Sequence, residues 1–258
     1  MTAINPEELL LAYRLGIFPM AESRNAKDVL WVRPHERCIL PLDKFHVPRR
    51  LAATVKSDRY TVTVDTAFGD VIRGCAEQRP DRRDTWINAP IVDVFTTLHA
   101  RRLAHSVEVW FEEKLVGGLY GLSLASAFFA ESKFSRMRDA SKVALVHLAA
   151  RLKAGGYTLL DAQFPNPHLE QFGAVTVTEE RFQGLLAQAL SREANFYGRS
   201  GAAPAGGALP AGGVAPAGGA AAGGRSTGGV AGGGGKSAGG AFSTGAGWSV
   251  LQVITQTS

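Results

Sequence analysis

Two polar side chains at the end of an apolar segment could bind and polarise a substrate. Asp161 and Gln163 stand two residues apart in the stretch LLDAQ, so in a strand they point to the same face. A carboxylate and an amide placed in this way can accept hydrogen bonds from an amine or a hydroxyl, which is the usual work of acid–base sites. A purely structural alternative stays open, in which the pair only caps the end of a buried strand.

A third candidate, Glu131, lies inside the stretch FAESKFS and ends another apolar segment. An acid in that place suits a cationic partner, because a carboxylate forms its strongest hydrogen bonds with ammonium and guanidinium groups. The alternative is a surface salt bridge with Lys133 or Arg136.

Basic residues occur in clusters that favour a partner carrying phosphate. The formal net charge is +5 and the sequence pI is about 9.4. Phosphate contacts supply most of the affinity that does not depend on sequence, although any one cluster could simply be a solvated face. The clusters are Arg49 and Arg50, Arg79 with Arg82 and Arg83, Arg101 and Arg102, and Lys133, Arg136, Arg138 and Lys142.

The composition also limits where the protein acts. No apolar run approaches the roughly 20 residues that span a bilayer, and the N-terminus lacks the basic start and apolar core of a signal peptide. Cys38 and Cys75 fit no metal-binding spacing and are expected to be reduced core residues. These features predict a cytoplasmic protein, and we expect a monomer with no metal and no membrane contact.

The C-terminal quarter differs from the rest of the chain. Of the 30 glycines, 19 lie beyond residue 200, in a stretch with almost no charged or large apolar residues. Such a stretch cannot bury enough surface to offset the entropy of ordering it, so residues 196–247 are expected to form a disordered Gly/Ala-rich linker. The apolar end, residues 248–258, could form a strand that docks on the body or on a partner, or could stay unstructured.

Hydrophobic periodicity predicts the elements that must position the polar residues. Helices are expected at about residues 7–15, 66–78, 91–102, 139–153, 168–172 and 178–190, with Thr66 and Thr178 as N-caps. Strands are expected at 38–42, 59–65, 106–111, 114–124, 127–131, 157–163 and 175–177. This order predicts an α+β fold in which helices cover both faces of a mixed sheet, the layout of GCN5-related N-acyltransferases. The foldable part, about residues 1–195, suits one domain with a small appendage.

Several motifs resemble those of one enzyme family, in unbroken order over about residues 9–190. They are LLLAYRLGIFPM, TWI, AHSVEVW with GGLYGL, and FFAESKFSRMRDASKVAL with LLDAQFPNPHLEQFGA. They resemble the leucyl/phenylalanyl-tRNA–protein transferases. The resemblance implies transfer of leucine or phenylalanine, with methionine as a further donor, from aminoacyl-tRNA to proteins that begin with Arg or Lys, which marks them for degradation.

The resemblance also implies a role for each candidate. Asp161 would orient Gln163, Gln163 would polarise the attacking amine, and Glu131 would bind the acceptor cation. Asn166 would help to hold the acceptor backbone. The resemblance further implies a small N-terminal domain at 1–36, followed by a catalytic domain of the acyltransferase fold at 37–195. The tRNA ester is already activated, so no cofactor is needed, and the proton acceptor stays open between protein and the 2′-hydroxyl of the tRNA. Apolar residues would hold the donor side chain, although ordinary core packing explains their spacing equally well: Leu119, Leu145, Leu148, Leu152 and Leu160.

Trp86 corresponds to a family tryptophan near the terminal adenosine, where stacking on a base contributes about 1–3 kcal/mol. A core tryptophan is the alternative. The chain departs from the family at two places: Met20 stands where tryptophan is common, and FAESKFS replaces the common FGESMFS, which puts Lys133 at an apolar pocket rim. Both departures bear on the choice of donor.

Two rival functions remain. An acetyl-CoA-dependent acetyltransferase needs a Gly-rich pyrophosphate loop, and the corresponding stretch ESKFSRMRDAS has no glycine. A non-catalytic RNA-binding module would not require Asp161, Gln163 and Glu131 to converge.

Overall fold

The computed structural model describes residues 3–78, 84–198 and 246–255. Within these residues, no helix has the length and the apolar character needed to cross a membrane. Most of the predicted Gly/Ala-rich linker and the cluster at Arg79, Arg82 and Arg83 lie outside the described residues.

Eight α-helices are described. They are α1 (Pro6–Arg14), α2 (Arg49–Lys56), α3 (Phe68–Ala76), α4 (Ala89–Ala100), α5 (Ala140–Gly155), α6 (Pro167–Glu170), α7 (Glu179–Leu190) and α8 (Ala246–Thr255). Nine strands are described in the same residues. They are β1 (Phe18–Met20), β2 (Leu30–Val32), β3 (Glu36–Ile39), β4 (Thr61–Val64), β5 (Ala104–Phe111), β6 (Lys114–Leu124), β7 (Ala127–Ser135), β8 (Leu159–Gln163) and β9 (Val175–Thr178).

Seven strands form one mixed sheet in the order β4-β5-β6-β7-β8-β3-β9, and β1 and β2 form a separate antiparallel pair. Within the large sheet β7 and β8 are parallel, and the other described pairings are antiparallel. The predicted α+β fold with a mixed sheet is therefore confirmed. Strands β7 and β8 can be parallel because α5 forms a crossover between them. A hairpin can join only antiparallel strands.

The sheet separates two apolar clusters. On one face α5 packs on β5, β6 and β7, and α2 and α8 cover α5. On the other face α3 packs on β5, β6 and β7, and α4 packs on β5, together with residues of α1 and α7. Alternation along β8 assigns its side chains to the two faces, because Leu159 belongs to the second cluster and Leu160 to the first.

The helix caps agree only partly with the sequence pattern. The hydroxyl of Thr178 accepts a 3.3 Å hydrogen bond from the Arg181 N–H and caps α7 as predicted. Thr66 does not cap α3, which begins two residues later, after Ala67. The Thr66 hydroxyl donates instead to Glu108, because a buried carboxylate on β5 competes for it.

Several elements differ from the sequence expectation. Strand β7 continues to Ser135 rather than ending at Glu131, and α2, β1 and β2 occur where no regular element was predicted. The apolar C-terminal end is a helix, not a strand. Helix α8 buries Val250, Leu251 and Ile254 against α5 and α2, and Lys153 Nζ donates a 2.7 Å hydrogen bond to the Ile254 carbonyl. The body also extends past residue 195, because Phe196 is buried beside His105.

Candidate active site

The parallel strands β7 and β8 carry the candidate residues at the point where their backbone pairing stops. Their ladder joins Ala127 to Leu159 and ends with Phe129 opposite Asp161, although both strands continue beyond it. A β-bulge follows on β7, where Ala130 pairs with Gly121 and Ser132 pairs with Tyr120. Glu131 is the extra residue of this bulge. Bulges re-aim side chains, and this one places a carboxyl at the open end of the strand pair.

Glu131 and Gln163 meet across that end. Nε2 of Gln163 donates a 2.8 Å hydrogen bond to Oε1 of Glu131, and both side chains are buried. Burial and, to a smaller extent, the nearby charge of Asp161 raise the pKa of Glu131 to about 8, against the opposing effects of bonding to Tyr13 and Gln163 and of the charge of Arg37. Tyr120 also lies beside this carboxyl. Among the described residues, Oε2 of Glu131 forms no hydrogen bond of good geometry.

The carboxylate of Asp161 is bound by a buried arginine. The guanidinium of Arg37 binds it with Nε at 3.0 and 3.1 Å from the two carboxyl oxygens and Nη2 at 2.6 Å from Oδ2. The same guanidinium donates to the Gly16 carbonyl at 2.8 Å and lies between the rings of Phe18 and Phe182. Burial raises the pKa of Asp161, and Arg37 opposes that rise. Such a bidentate pair fixes the orientation of the carboxylate.

Asp161 in turn fixes the backbone of Gln163. Oδ1 of Asp161 accepts a 2.8 Å hydrogen bond from the Gln163 N–H, and Gln163 has a φ of 65°. A side chain other than glycine in this left-handed region is strained, and such strain is typical of functional sites. Within the described residues, no hydrogen bond reaches Oε1 of Gln163. That oxygen can accept one from a substrate amine.

Sequence reasoning missed Arg37. The indication that the sequence offered was a charged residue beside Cys38, at the start of the otherwise apolar run RCIL. Strand alternation turns Arg37 away from the cluster that contains Cys38 and Leu40. Its pairing with Asp161, 124 residues away, is set by β3 lying beside β8 in the sheet.

The proposed adenosine residues lie next to each other. The Ala21 N–H donates a 3.1 Å hydrogen bond to the Trp86 carbonyl, which brings Met20 close to Trp86. Both side chains are partly buried and pack against the same cluster as Tyr13 and Phe18. Trp31, which sequence reasoning did not select, is 45% exposed and pairs with Pro19 on the adjacent strand. It offers a second aromatic face there.

The other predicted binding residues have a different environment. All five pocket leucines are buried in the cluster on the α5 face: Leu119, Leu145, Leu148, Leu152 and Leu160. Asp161 and Gln163 point to the opposite face of β8, so the strand pair separates the leucines from the acid–amide group. Asn166 is exposed, and its side-chain oxygen caps α6 by accepting the His168 N–H at 2.9 Å. In the described part of the chain, no three His, Cys, Asp or Glu side chains converge as metal ligands.

Comparison with known proteins relates this site to a family. The sequence model of the family described as leucyl/phenylalanyl-tRNA protein transferase matches residues 39–187. The sequence model of that family's N-terminal domain matches residues 2–35. A curated leucyl/phenylalanyl-tRNA–protein transferase of Hyphomonas neptunium is 54% identical over 200 residues, which cover 77% of this chain and 78% of that protein. The proteins of the same name from Phenylobacterium zucineum and Caulobacter vibrioides are each 52% identical, cover 80% and 78% of this chain, and are themselves covered to 93%.

Solved structures give weaker matches. L-PGS from Bacillus licheniformis aligns with a TM-score of 0.37 at 14% identity, over 62% of this chain and 51% of that chain, and a likeness of this extent carries no functional inference.

The α+β fold with an acid–amide site, together with these matches, defines an enzyme of the aminoacyltransferase class. The chain belongs to the leucyl/phenylalanyl-tRNA–protein transferase family.

Proposed function

We propose that this chain transfers leucine or phenylalanine, with methionine as a further donor, from aminoacyl-tRNA to the N-terminal Arg or Lys of acceptor proteins, and so marks them for degradation. It would act in the cytoplasm as a monomer and without a cofactor. The proposal rests on a buried chain of hydrogen bonds that runs from Arg37 through Asp161 and Gln163 to Glu131. This chain finishes at the open end of β7 and β8.

The relay suits attack by an amine on an activated ester. The free N-terminal amine titrates at about 7.7–8.0, so a minor fraction is already uncharged near neutral pH. Oε1 of Gln163 can accept a hydrogen bond from that amine and aim its lone pair at the ester carbonyl. The neutral amide is a weak base, so its contribution is orientation, and Asp161 supports it by holding the Gln163 backbone.

Glu131 would bind the acceptor cation. The Oε2 atom lacks a well-formed hydrogen bond, and a cation beside it would lower the raised pKa of the carboxyl and stabilise the charged form. Arg and Lys at the acceptor terminus both supply such a cation. Asn166, three residues beyond Gln163, would contact the acceptor backbone.

The donor would be held by two surfaces. The five leucines of the α5 face would accept the Leu or Phe side chain, and Trp86 with Met20 would cover the terminal adenine. The ester would then lie at the open end between β7 and β8, where the acid–amide group is found.

The test is a transfer assay with charged Leu-tRNA and a peptide that begins with Arg. Incorporation that proceeds without ATP, added metal or coenzyme A is expected, and a peptide beginning with Gly should accept poorly. An enzyme should transfer as wild type and lose transfer, but not tRNA binding, in a triple variant with Asp161→Ala, Gln163→Ala and Glu131→Ala. A non-catalytic RNA-binding module would show no transfer in either form. Dependence on acetyl-CoA, or no transfer from any charged tRNA, would overturn the proposal.

A further inference from the structure

Lys133 lies on the face of the sheet that carries the leucine cluster. It pairs directly with Leu119 across β6 and β7, and directly opposed residues of antiparallel strands point to the same side. Leu119 is buried in the α5-face cluster, with Leu145 and Leu148. Lys133 is partly buried, and the Cys38 thiol lies close enough to interact with it electrostatically. A cationic side chain therefore adjoins the proposed donor pocket.

The ammonium of Lys133 has no counter-ion among the described residues. Among the described residues, it forms no ion pair and no hydrogen bond, whereas neighbouring Lys142 donates to Asp139 at 2.9 Å. Burial lowers the pKa of Lys133, and the positive charge of Lys142 lowers it further. An unpaired cation with little hydration has a high free energy. A ligand group that interacts with it is therefore bound more strongly than it would be by a solvated lysine.

We propose that Lys133 selects the donor by a cation–π contact, so that this chain prefers a phenylalanyl to a leucyl donor. The inference rests on the proposed function and names the preferred substrate of the same site. An aromatic ring in the leucine cluster presents its negative face to a cation above it, and this attraction is strongest when the cation is desolvated. An aliphatic side chain of the same size has no negative face to attract the ammonium. For this donor the adjacent charge is only unfavourable.

The experiment compares three donors of similar size that differ in the charge distribution of their ring, together with leucine, the aliphatic donor that the proposal names. The same tRNA is charged with phenylalanine, cyclohexylalanine, pentafluorophenylalanine or leucine, and kcat/KM is measured for transfer to one Arg-starting peptide. We expect the wild-type chain to use phenylalanine about three- to tenfold better than cyclohexylalanine. Pentafluorophenylalanine should fall to the level of cyclohexylalanine, because fluorination removes the negative ring face.

Three variants test whether the positive charge of Lys133 causes the preference for phenylalanine. Lys133→Leu should reduce the ratio of phenylalanine to cyclohexylalanine to near one, and Lys133→Arg should preserve it, because a guanidinium also binds aromatic faces. Lys142→Leu is the matched control, since it removes a neighbouring cation that already has a carboxylate partner, and it should leave the ratio unchanged.

An unchanged ratio in Lys133→Leu would overturn the inference. So would a similar rise for all four donors in that variant, because Lys133 would then only obstruct the pocket. If Lys133→Leu did not fold, as judged by thermal unfolding, the wild-type ratio and that of Lys133→Arg would still decide, and a wild-type ratio near one would refute the contact. Failure of the proposed function has a different signature, namely no transfer from any donor.

Discussion

Gln163 and Glu131 are joined by a 2.8 Å hydrogen bond at a point where the strands that carry them no longer pair through their backbones. The bond is buried, and it links the amide proposed to aim the attacking amine with the acid proposed to bind the acceptor. Because each side chain restrains the other, a change at one residue is expected to alter the function of its partner.

Replacing Asp161 by Ala should lower turnover by about 100-fold or more, the scale of losing a positioned polar group in a transition state. Asp161→Asn should retain more activity, since its amide oxygen can still accept the Gln163 N–H. Single-turnover rates with saturating charged tRNA measure the effect, and tRNA affinity should change little. Because both changes leave Arg37 buried without its carboxylate, folding must be checked by circular dichroism. A near-wild-type rate for Asp161→Ala would remove the assigned role.

Replacing Glu131 by Gln should weaken the use of Arg-starting peptides by removing charge complementarity. A hydrogen bond to a charged group contributes roughly 1.5–3 kcal/mol, so the apparent KM for the peptide should rise about tenfold or more. Glu180→Gln, an exposed change on α7, is the matched control and should leave KM unaltered. Equal peptide KM and equal turnover in wild type and Glu131→Gln would place acceptor recognition elsewhere.

The raised pKa of Glu131 predicts how stability depends on pH. The folded pKa of about 8 lies above the ordinary value of 4.5, so the folded state binds the proton more tightly than the unfolded state. The stabilisation is complete below pH 4.5 and is lost as pH rises through 8. Relative to Glu131→Gln, the wild type should lose roughly 3–4 kcal/mol of unfolding free energy between pH 5 and pH 8. Parallel pH profiles for the two proteins in urea titrations would contradict this assignment.

Replacing Met20 by Trp tests the adenosine surface. A thioether loses more side-chain entropy on binding than an indole ring and offers less stacking area. If Met20 lies at the adenosine site, Met20→Trp should tighten binding of an aminoacyl-adenosine analogue, with a smaller gain for full tRNA. Both ligands are titrated at one fixed salt concentration, since phosphate contacts make affinity salt-dependent. Tighter binding of tRNA but not of the analogue would rule out adenosine at Met20.

A substitution in α8 tests whether the C-terminal helix stabilises the body. Leu251 is buried against α5 and α2, whereas its neighbour Gln252 is exposed. Leu251→Asp should therefore lower the free energy of unfolding by about 2 kcal/mol or more, and Gln252→Asp should be nearly neutral. Thermal unfolding of both variants makes the comparison, and equal melting temperatures would show that the docked helix adds no stability.

Much of the fold and part of the site follow from local sequence pattern. Alternation in LLDAQ predicts that Asp161 and Gln163 share a face, and the structure places both on that face of β8. The same periodicity predicts most helices and strands and the Thr178 cap, because these depend on residues close in the chain. The motif resemblance predicted the family, which the comparisons confirm.

Only the tertiary structure decided what surrounds those residues. Arg37 reaches Asp161 because β3 adds to the sheet beside β8, and the raised pKa of Glu131 arises from burial that a bulge on β7 produces. The helical form of α8 depends on an apolar surface formed by α5 and α2. Strand order and desolvation depend on residues far apart in the chain, so no local pattern in the sequence determines them.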